Sequence, residues 1–166
     1  MASSSLKGYT AKNLTDGLFT TAWVEGVEGP GINEYAEFTF KKKVTLHQIG
    51  IIAGYNKSKE IYYNNNRVEE IDLYINGEFF KTVSLPDGYA AYNDPSDQNL
   101  SYEERSYLLF RDYSCYHIIS LSNDNIAVKN VRMVIKKVYK GEKYDDTCIS
   151  EVLFLEKNNE KECGGR

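Results

Sequence analysis

Val68-Glu-Glu-Ile-Asp-Leu-Tyr-Ile75, then Asn76-Gly77, then Glu78-Phe-Phe-Lys-Thr-Val-Ser-Leu85 is the stretch that decides the fold class. Ile71, Leu73 and Ile75 alternate with Glu70, Asp72 and Tyr74, which is the period of a strand with one buried face. Asn76-Gly77 lies between two such runs, and it is the pair favoured by a type I′ turn, where both central residues take positive φ. An antiparallel hairpin is therefore expected at the centre of the chain.

Outward from the hairpin the same period recurs. Over 34–40, Ala36, Phe38 and Phe40 share one face against Tyr35, Glu37 and Thr39, and 44–53 carries Leu46, Ile49, Ile51 and Ile52 and reads as a central strand. Lys41-Lys42-Lys43 between them reads as a solvated turn. Strand-like runs resume at 107–110, 116–121, 128–139 and 148–155. The polar span 86–105, with Tyr89, Tyr92 and Tyr102, reads as a long loop with a helical turn at 102–105. No long segment shows helical period. About eight short strands separated by turn signals indicate an all-β, antiparallel β-sandwich. One domain over 1–155 is expected, followed by a charged, Gly-ended tail at 156–166 that reads as disordered.

Composition narrows the function. The net charge of −4 and an isoelectric point near 5.3 argue against a phosphate-tracking surface, so nucleic acid is excluded as a partner. Fourteen Tyr against one Trp and seven Phe point to a wet recognition surface, because Tyr offers a flat apolar ring with a polar tip. Cys115, Cys148 and Cys163 lack Cys-x-x-Cys spacing, which leaves room for at most one internal bridge. Cys148 reads as a buried thiol and Cys163 as exposed, able to link two chains under oxidising conditions. The sequence has no apolar run of about eighteen residues, so no transmembrane segment is expected. Met1-Ala-Ser-Ser-Ser lacks the core of a signal peptide, yet a start this plain also fits a chain from which a leader or anchor was removed.

Asn13-Leu-Thr-Asp-Gly-Leu-Phe-Thr-Thr-Ala-Trp23 adds chemistry to this frame. Asp16-Gly17 makes a tight turn whose carboxylate can accept neighbouring backbone N–H groups or hold a cation. Four further blocks accompany it: Gly31-Ile-Asn-Glu34, Gly54-Tyr-Asn-Lys-Ser58, Tyr62 through Arg67, and Lys143 through Glu151. On these blocks the chain resembles the galactose-binding-like jelly rolls, the discoidin or factor V/VIII type C domains. It most resembles the bacterial glycan-binding domain that accompanies certain NAD glycohydrolases, over about residues 11–154.

The resemblance implies a jelly roll with neighbouring termini, a ligand site on loops at one end, and a place outside the cell, on its surface or in the periplasm. In many relatives a structural calcium sits where the first and last blocks meet. Here Asp16, Thr21 and Glu151 would supply side-chain oxygens and Asn13 and Leu18 carbonyls, a set suited to a hard cation. The alternative is that Asp16 and Glu151 simply accept backbone donors. For the ligand, an aromatic plate takes the apolar face of a sugar while amides, carboxylates and cations take its hydroxyls. The candidates are Trp23, Tyr55, Tyr62, Asn65, Asn66, Arg67, Tyr144, Asp145 and Asp146, with Glu25 and Lys57 as rim. Trp23, Tyr55 and Tyr62 sit beside Gly or polar neighbours and are expected near loops. A structural role in loop bonding stays open for each, as does a core position for Trp23.

Catalysis is not expected. The only histidines, His47 and His117, lie in strand-like runs and read as half-buried structural residues. Phosphate-loop, Gly-x-Ser-x-Gly and His-Glu-x-x-His patterns are missing, and the adjacent Asp145 and Asp146 would point to opposite sides of an extended segment. The sequence also lacks a His at an expected sugar-contact loop, which leaves the sugar open. The expected function is a non-catalytic, lectin-like module for a glycan or other small polar ligand, working beside other domains of a larger protein. The alternative is a protein-docking module. Convergence of the candidates on one pocket, as opposed to a flat face, discriminates the two.

Overall fold

Seven strands carry the architecture: β1 (Trp23–Val24), β2 (Tyr35–Ala53), β3 (Asn66–Ile75), β4 (Glu78–Ser84), β5 (His117–Ser120), β6 (Ala127–Tyr139) and β7 (Thr147–Glu156). Among the described residues a 3-10 turn spans Ala11–Thr15 and one short helix, α1, spans Lys59–Asn64. The computed structural model describes residues 1–89, 116–121 and 126–156. The expected strand at 107–110, the turn at 102–105, most of the 86–105 loop, Cys115, Cys163 and the tail from 157 onward lie outside the described residues. Glu156 itself belongs to β7, so the strand runs one residue into the expected tail.

The hairpin forms in the expected register. Ile75 pairs with Glu78, and Asn76 and Gly77 take φ of 53° and 85°, the double positive-φ turn that the dipeptide calls for. Ile71, Leu73 and Ile75 are buried with Val131, Met133 and Ile135 of β6, the neighbouring strand.

β2 departs from expectation. The runs at 34–40 and 44–53 form one strand of 19 residues, and Lys41, Lys42 and Lys43 are its exposed middle, where register against β6 shifts between Thr39 and Val44. Lys129 Nζ donates to the carbonyls of Phe40 and Lys41 at 2.7 and 3.1 Å and holds this irregularity, so the run is a bulge instead of a turn. The bulge lets one strand serve both layers of the sandwich. Through Thr45, β2 pairs with β6, which pairs with β3, which in turn pairs with β4; beyond that, β2 lies between β5 and β7, and β7 carries β1. Buried aliphatics from both layers, including Ile49, Ile51, Ile71, Met133, Ile149 and Val152, form one core.

The ends of the domain are tied together. The Met1 ammonium donates to the Glu37 carbonyl at 2.6 Å, Ala2 bridges Ala36, and Met1 and Phe154 line the same concavity. At the opposite end of β3, Asn66 and Arg67 pair parallel to Thr147 and Cys148 of β7. This short parallel contact, beside a single parallel bridge between Gly54 and Ile149, brings the start of β3 next to the loop that leads into β7.

Candidate functional site

At that junction a set of buried polar side chains fixes the loops. Asn66 donates from Nδ2 to the Asp145 carbonyl at 2.7 Å and to its carboxylate at 3.0 Å, and its Oδ1 accepts the Gly141 N–H at 2.7 Å. Glu25 accepts the N–H groups of Val27 at 2.8 Å and Thr147 at 3.1 Å; burial raises its carboxyl pKa against the pull of these two donors. The Arg67 guanidinium grips Asp87 through two bonds of 3.1 and 2.8 Å and donates to the carbonyls of Asn65 and Lys140, both at 3.1 Å. Its hydrogen bond to Asp87 holds that carboxyl below its ordinary range. Tyr62 lies 5.4 Å from the same guanidinium, donates to Asp87 and accepts from Gly88 N, and burial pushes its hydroxyl up to about 12.

These placements correct part of the expected site. Trp23 and Tyr62 are buried: Trp23 packs in the core with Nε1 donating to the Ser4 carbonyl at 3.0 Å, and Tyr62 lines a separate concavity with Asp87, Tyr89 and Tyr116 instead of the groove described next. Glu25, Asn66 and Arg67 are likewise interior, with their polar atoms spent on backbone and Asp87. Lys57 and Asp145 are exposed but do not line the concavity described next. Gly54 shows how tightly the layer beneath is packed. At φ 79°, a Cβ there would stand 2.5 Å from Arg67 Cγ and 2.6 Å from Tyr62 Cε2. Gly54→Ala is therefore expected to cost about 2 kcal/mol, from backbone strain and overpacking together. Chemical denaturation checks this, and an unchanged midpoint would contradict it.

Above this layer lies a groove of about 410 Å³ lined by Leu6, Tyr9, Val24, Tyr55, Glu60, Ile61, Asn64, Asn65, Lys143, Tyr144 and Asp146. It gathers Tyr55, Asn65, Tyr144 and Asp146 from the expected set. Tyr9 stands edge-on to Tyr55 with centroids 5.9 Å apart, and Tyr144 is 46% exposed with the Lys143 ammonium 5.0 Å from its ring. The loop carrying Lys143 and Tyr144 is anchored by the N–H groups of both residues, which donate to the Asn64 carbonyl at 3.1 and 2.8 Å. Sequence reasoning missed Leu6, Tyr9, Val24, Glu60, Ile61, Asn64 and Lys143 as lining residues. Ser58 held a usable signal for α1: it caps the helix by accepting the Ile61 N–H at 3.2 Å. A helix of six residues is too short to show periodicity.

The first and last expected blocks also meet. Gly17 N donates to Glu151 Oε2 at 3.2 Å, Leu18 N to Asp16 Oδ1 at 2.9 Å, and the Thr21 hydroxyl to Asp16 Oδ2 at 2.8 Å and the Leu18 carbonyl at 3.0 Å. The Asn13 side chain donates to the Ala22 carbonyl at 2.8 Å. Glu151 is 4% exposed; burial first, and the Asp16 charge second, push its carboxyl up to about 9. Burial also raises Asp16, against the pull of the Thr21 hydroxyl. Among the described residues no cluster of three or more His, Cys, Asp or Glu forms, so a cation here would rest on two carboxylates with neutral oxygens. The all-oxygen donors fit a hard ion, because the buried Glu151 beside the half-buried Asp16 needs either a shared proton or a positive charge between the two.

A stability test follows with a definite sign. A carboxyl raised from 4.5 to about 9 holds its proton in the folded chain after the unfolded chain has released it. Its contribution is full below pH 4.5 and is lost as pH rises towards 9, at up to about 1.4 kcal/mol per pH unit. In chelator, the melting temperature is expected to fall between pH 5 and pH 8.5. A flat profile would contradict the buried acid pair.

His117 is half-buried on β5, as expected, and burial lowers its pKa; His47 is exposed on β2, contrary to expectation, at the point where the register against β7 shifts between Leu46 and Gln48. Cys148 is a free, buried thiol whose pKa burial raises, in keeping with the expected inert core residue.

The sandwich, with loops and a groove at one end, is the architecture of discoidin-like carbohydrate-binding modules. The chain is similar to the structure of CBM32-3 from a family 31 glycoside hydrolase of Clostridium perfringens, with TM-score 0.63 and 16% identity over 95% of this chain and 88% of that one. It is similar to the family 32 module of C. perfringens NanJ in complex with galactose, with TM-score 0.63 and 12% identity over 93% and 90%. It is also similar to the CBM32 of AlyQ in complex with 4,5-unsaturated mannuronic acid, with TM-score 0.55 and 15% identity over 93% and 92%. At these identities the likeness is one of fold. The family model for the NAD glycohydrolase translocation F5/8 type C domain matches residues 1–155, and the chain belongs to that family. No curated protein sequence matches the chain.

Proposed function

We propose that the chain is a non-catalytic glycan-binding module whose ligand occupies the groove between Tyr9, Tyr55 and Tyr144. The carrying observation is the convergence of three tyrosines with Asn64, Asn65, Lys143 and Asp146 on one concavity large enough for a mono- or disaccharide. Aromatic faces meet the C–H face of a sugar, and the amides and charged groups fix its hydroxyls. The buried layer of Glu25, Asn66 and Arg67 serves this site indirectly, by holding its loops in shape before ligand arrives. Affinity is modest, since sugar hydroxyls exchange one set of hydrogen bonds for another, and multivalent display compensates.

The family description adds a purpose. Translocation names the movement of a larger protein, so glycan capture at a cell surface by one domain of an exported protein is the context that suits this module. A calcium ion held by Asp16, Glu151, Thr21 and Leu18 would brace the end of the sandwich from outside the groove. No helix among the described residues is long and apolar enough to cross a membrane.

A glycan array screened with calcium and again with chelator tests the proposal. Selective binding to related glycans is expected. Its loss in chelator would support the metal, and silence in both conditions would favour the docking of a protein partner.

A further inference from the structure

We infer that the groove selects by charge, accepting neutral glycans and rejecting their carboxylate-bearing counterparts through Glu60 and Asp146. This rests on the glycan-binding reading of the groove. The fold does not decide the matter, but the lining does.

Among the described lining residues two are carboxylates, Glu60 and Asp146, and one is a cation, Lys143. Lys143 is the one cation of the described lining, with Tyr144 as its hydrogen-bond partner and Glu60 acting on it electrostatically, so two carboxylates against one ammonium leave the lining with one net negative charge. Asp146 makes no ion pair among the described residues. Behind it stands the buried Glu25, close enough that Asp146 contributes to raising its pKa. An incoming carboxylate thus meets two carboxylates against one ammonium at the wall, whereas a hydroxyl meets acceptors that it can donate to. The lysines of the Lys41–Lys43 bulge are on β2, outside the lining.

At low ionic strength the discrimination is expected to be roughly tenfold, and it should shrink in high salt as the charges are screened. The test presents surface-immobilised galactose and glucose, the matching galacturonate and glucuronate, and the methyl esters of those uronates. The ester keeps the shape of the acid and removes its charge. Neutral sugar and ester are expected to bind within about threefold of each other and the free acid about tenfold more weakly. Glu60→Gln, a change on the exposed face of α1, should narrow that gap, and Glu60→Gln with Asp146→Asn should close it to about twofold.

Equal or stronger binding of the free acid would overturn the inference while leaving the glycan reading intact. So would an ester as weak as the acid, which would mean exclusion by size. Failure of every neutral sugar to bind would remove both readings together.

Discussion

Arg67→Ala is expected to destabilise the domain by about 3 kcal/mol, the low end of the range for breaking a buried ion pair, because Asp87 keeps contact with water. Arg67 is 5% exposed and its partner's side chain 32%. Truncation leaves the carbonyls of Asn65 and Lys140 without their donor and removes the cation stacked near Tyr62 and Tyr63. For a domain of this size the loss corresponds to a fall in melting temperature of roughly 6–12 °C. Arg67→Lys should not restore it, since an ammonium cannot reproduce the two-point grip on Asp87 together with the two carbonyl bonds. Calorimetry on both variants checks this. A shift below 2 °C for Arg67→Ala would mean that the buried layer does not hold the loops.

Tyr144→Ala carries the second large effect, and it falls on binding instead of folding. Tyr144 is nearly half exposed, its backbone N–H and not its ring secures the loop, and its ring faces the groove. Loss of an exposed aromatic plate at the centre of a small interface typically costs 2 kcal/mol or more, a drop of roughly thirtyfold in affinity, while stability should stay within about 0.5 kcal/mol. Tyr55→Ala should weaken binding comparably, with some loss of stability, because Tyr55 also packs against the buried group of Ala22, Val24 and Cys148. Titration of each variant with an array-selected glycan, beside a thermal scan, separates the two effects. Unchanged affinity for Tyr144→Ala would move the ligand out of the groove.

The parts of the fold legible in the sequence were those governed by neighbours in the chain. Asn76-Gly77 sets its own turn, and the alternation around Ile71 and Leu73 needs nothing distant to be read. β2 was read as two strands because three consecutive lysines look like solvent. What keeps the chain extended there is Lys129, a residue 89 positions away along the chain that caps the Phe40 carbonyl. The site divides the same way. Tyr55 and Tyr144 were found as aromatics beside polar neighbours, but the same rule misplaced Trp23 and Tyr62. The residues that bury them come from elsewhere: the Ser4 and Ser5 region closes over the Trp23 indole, and Asp87 and Gly88 close over the Tyr62 hydroxyl. Tyr9 and Asn64 join the groove only because the amino-terminal segment and α1 pack against the loop leading into β7. No local pattern announces such a meeting.

The buried polar groups give the end of the sandwich a division of labour. Glu25, Asn66 and Arg67 satisfy loop backbone that would otherwise be stranded without water, which is why such loops can be irregular and still hold one shape. Tyr9, Tyr55 and Tyr144 are thereby left to present their rings.

The most direct measurement is a titration of the isotope-labelled domain with an array-selected glycan, followed by amide chemical shifts in NMR spectra. Shifts clustered on Tyr9, Tyr55, Asn64, Lys143, Tyr144 and Asp146 are the expected result. Shifts confined to the opposite end, around Phe38 and Phe154, with the groove amides unmoved, would contradict the account.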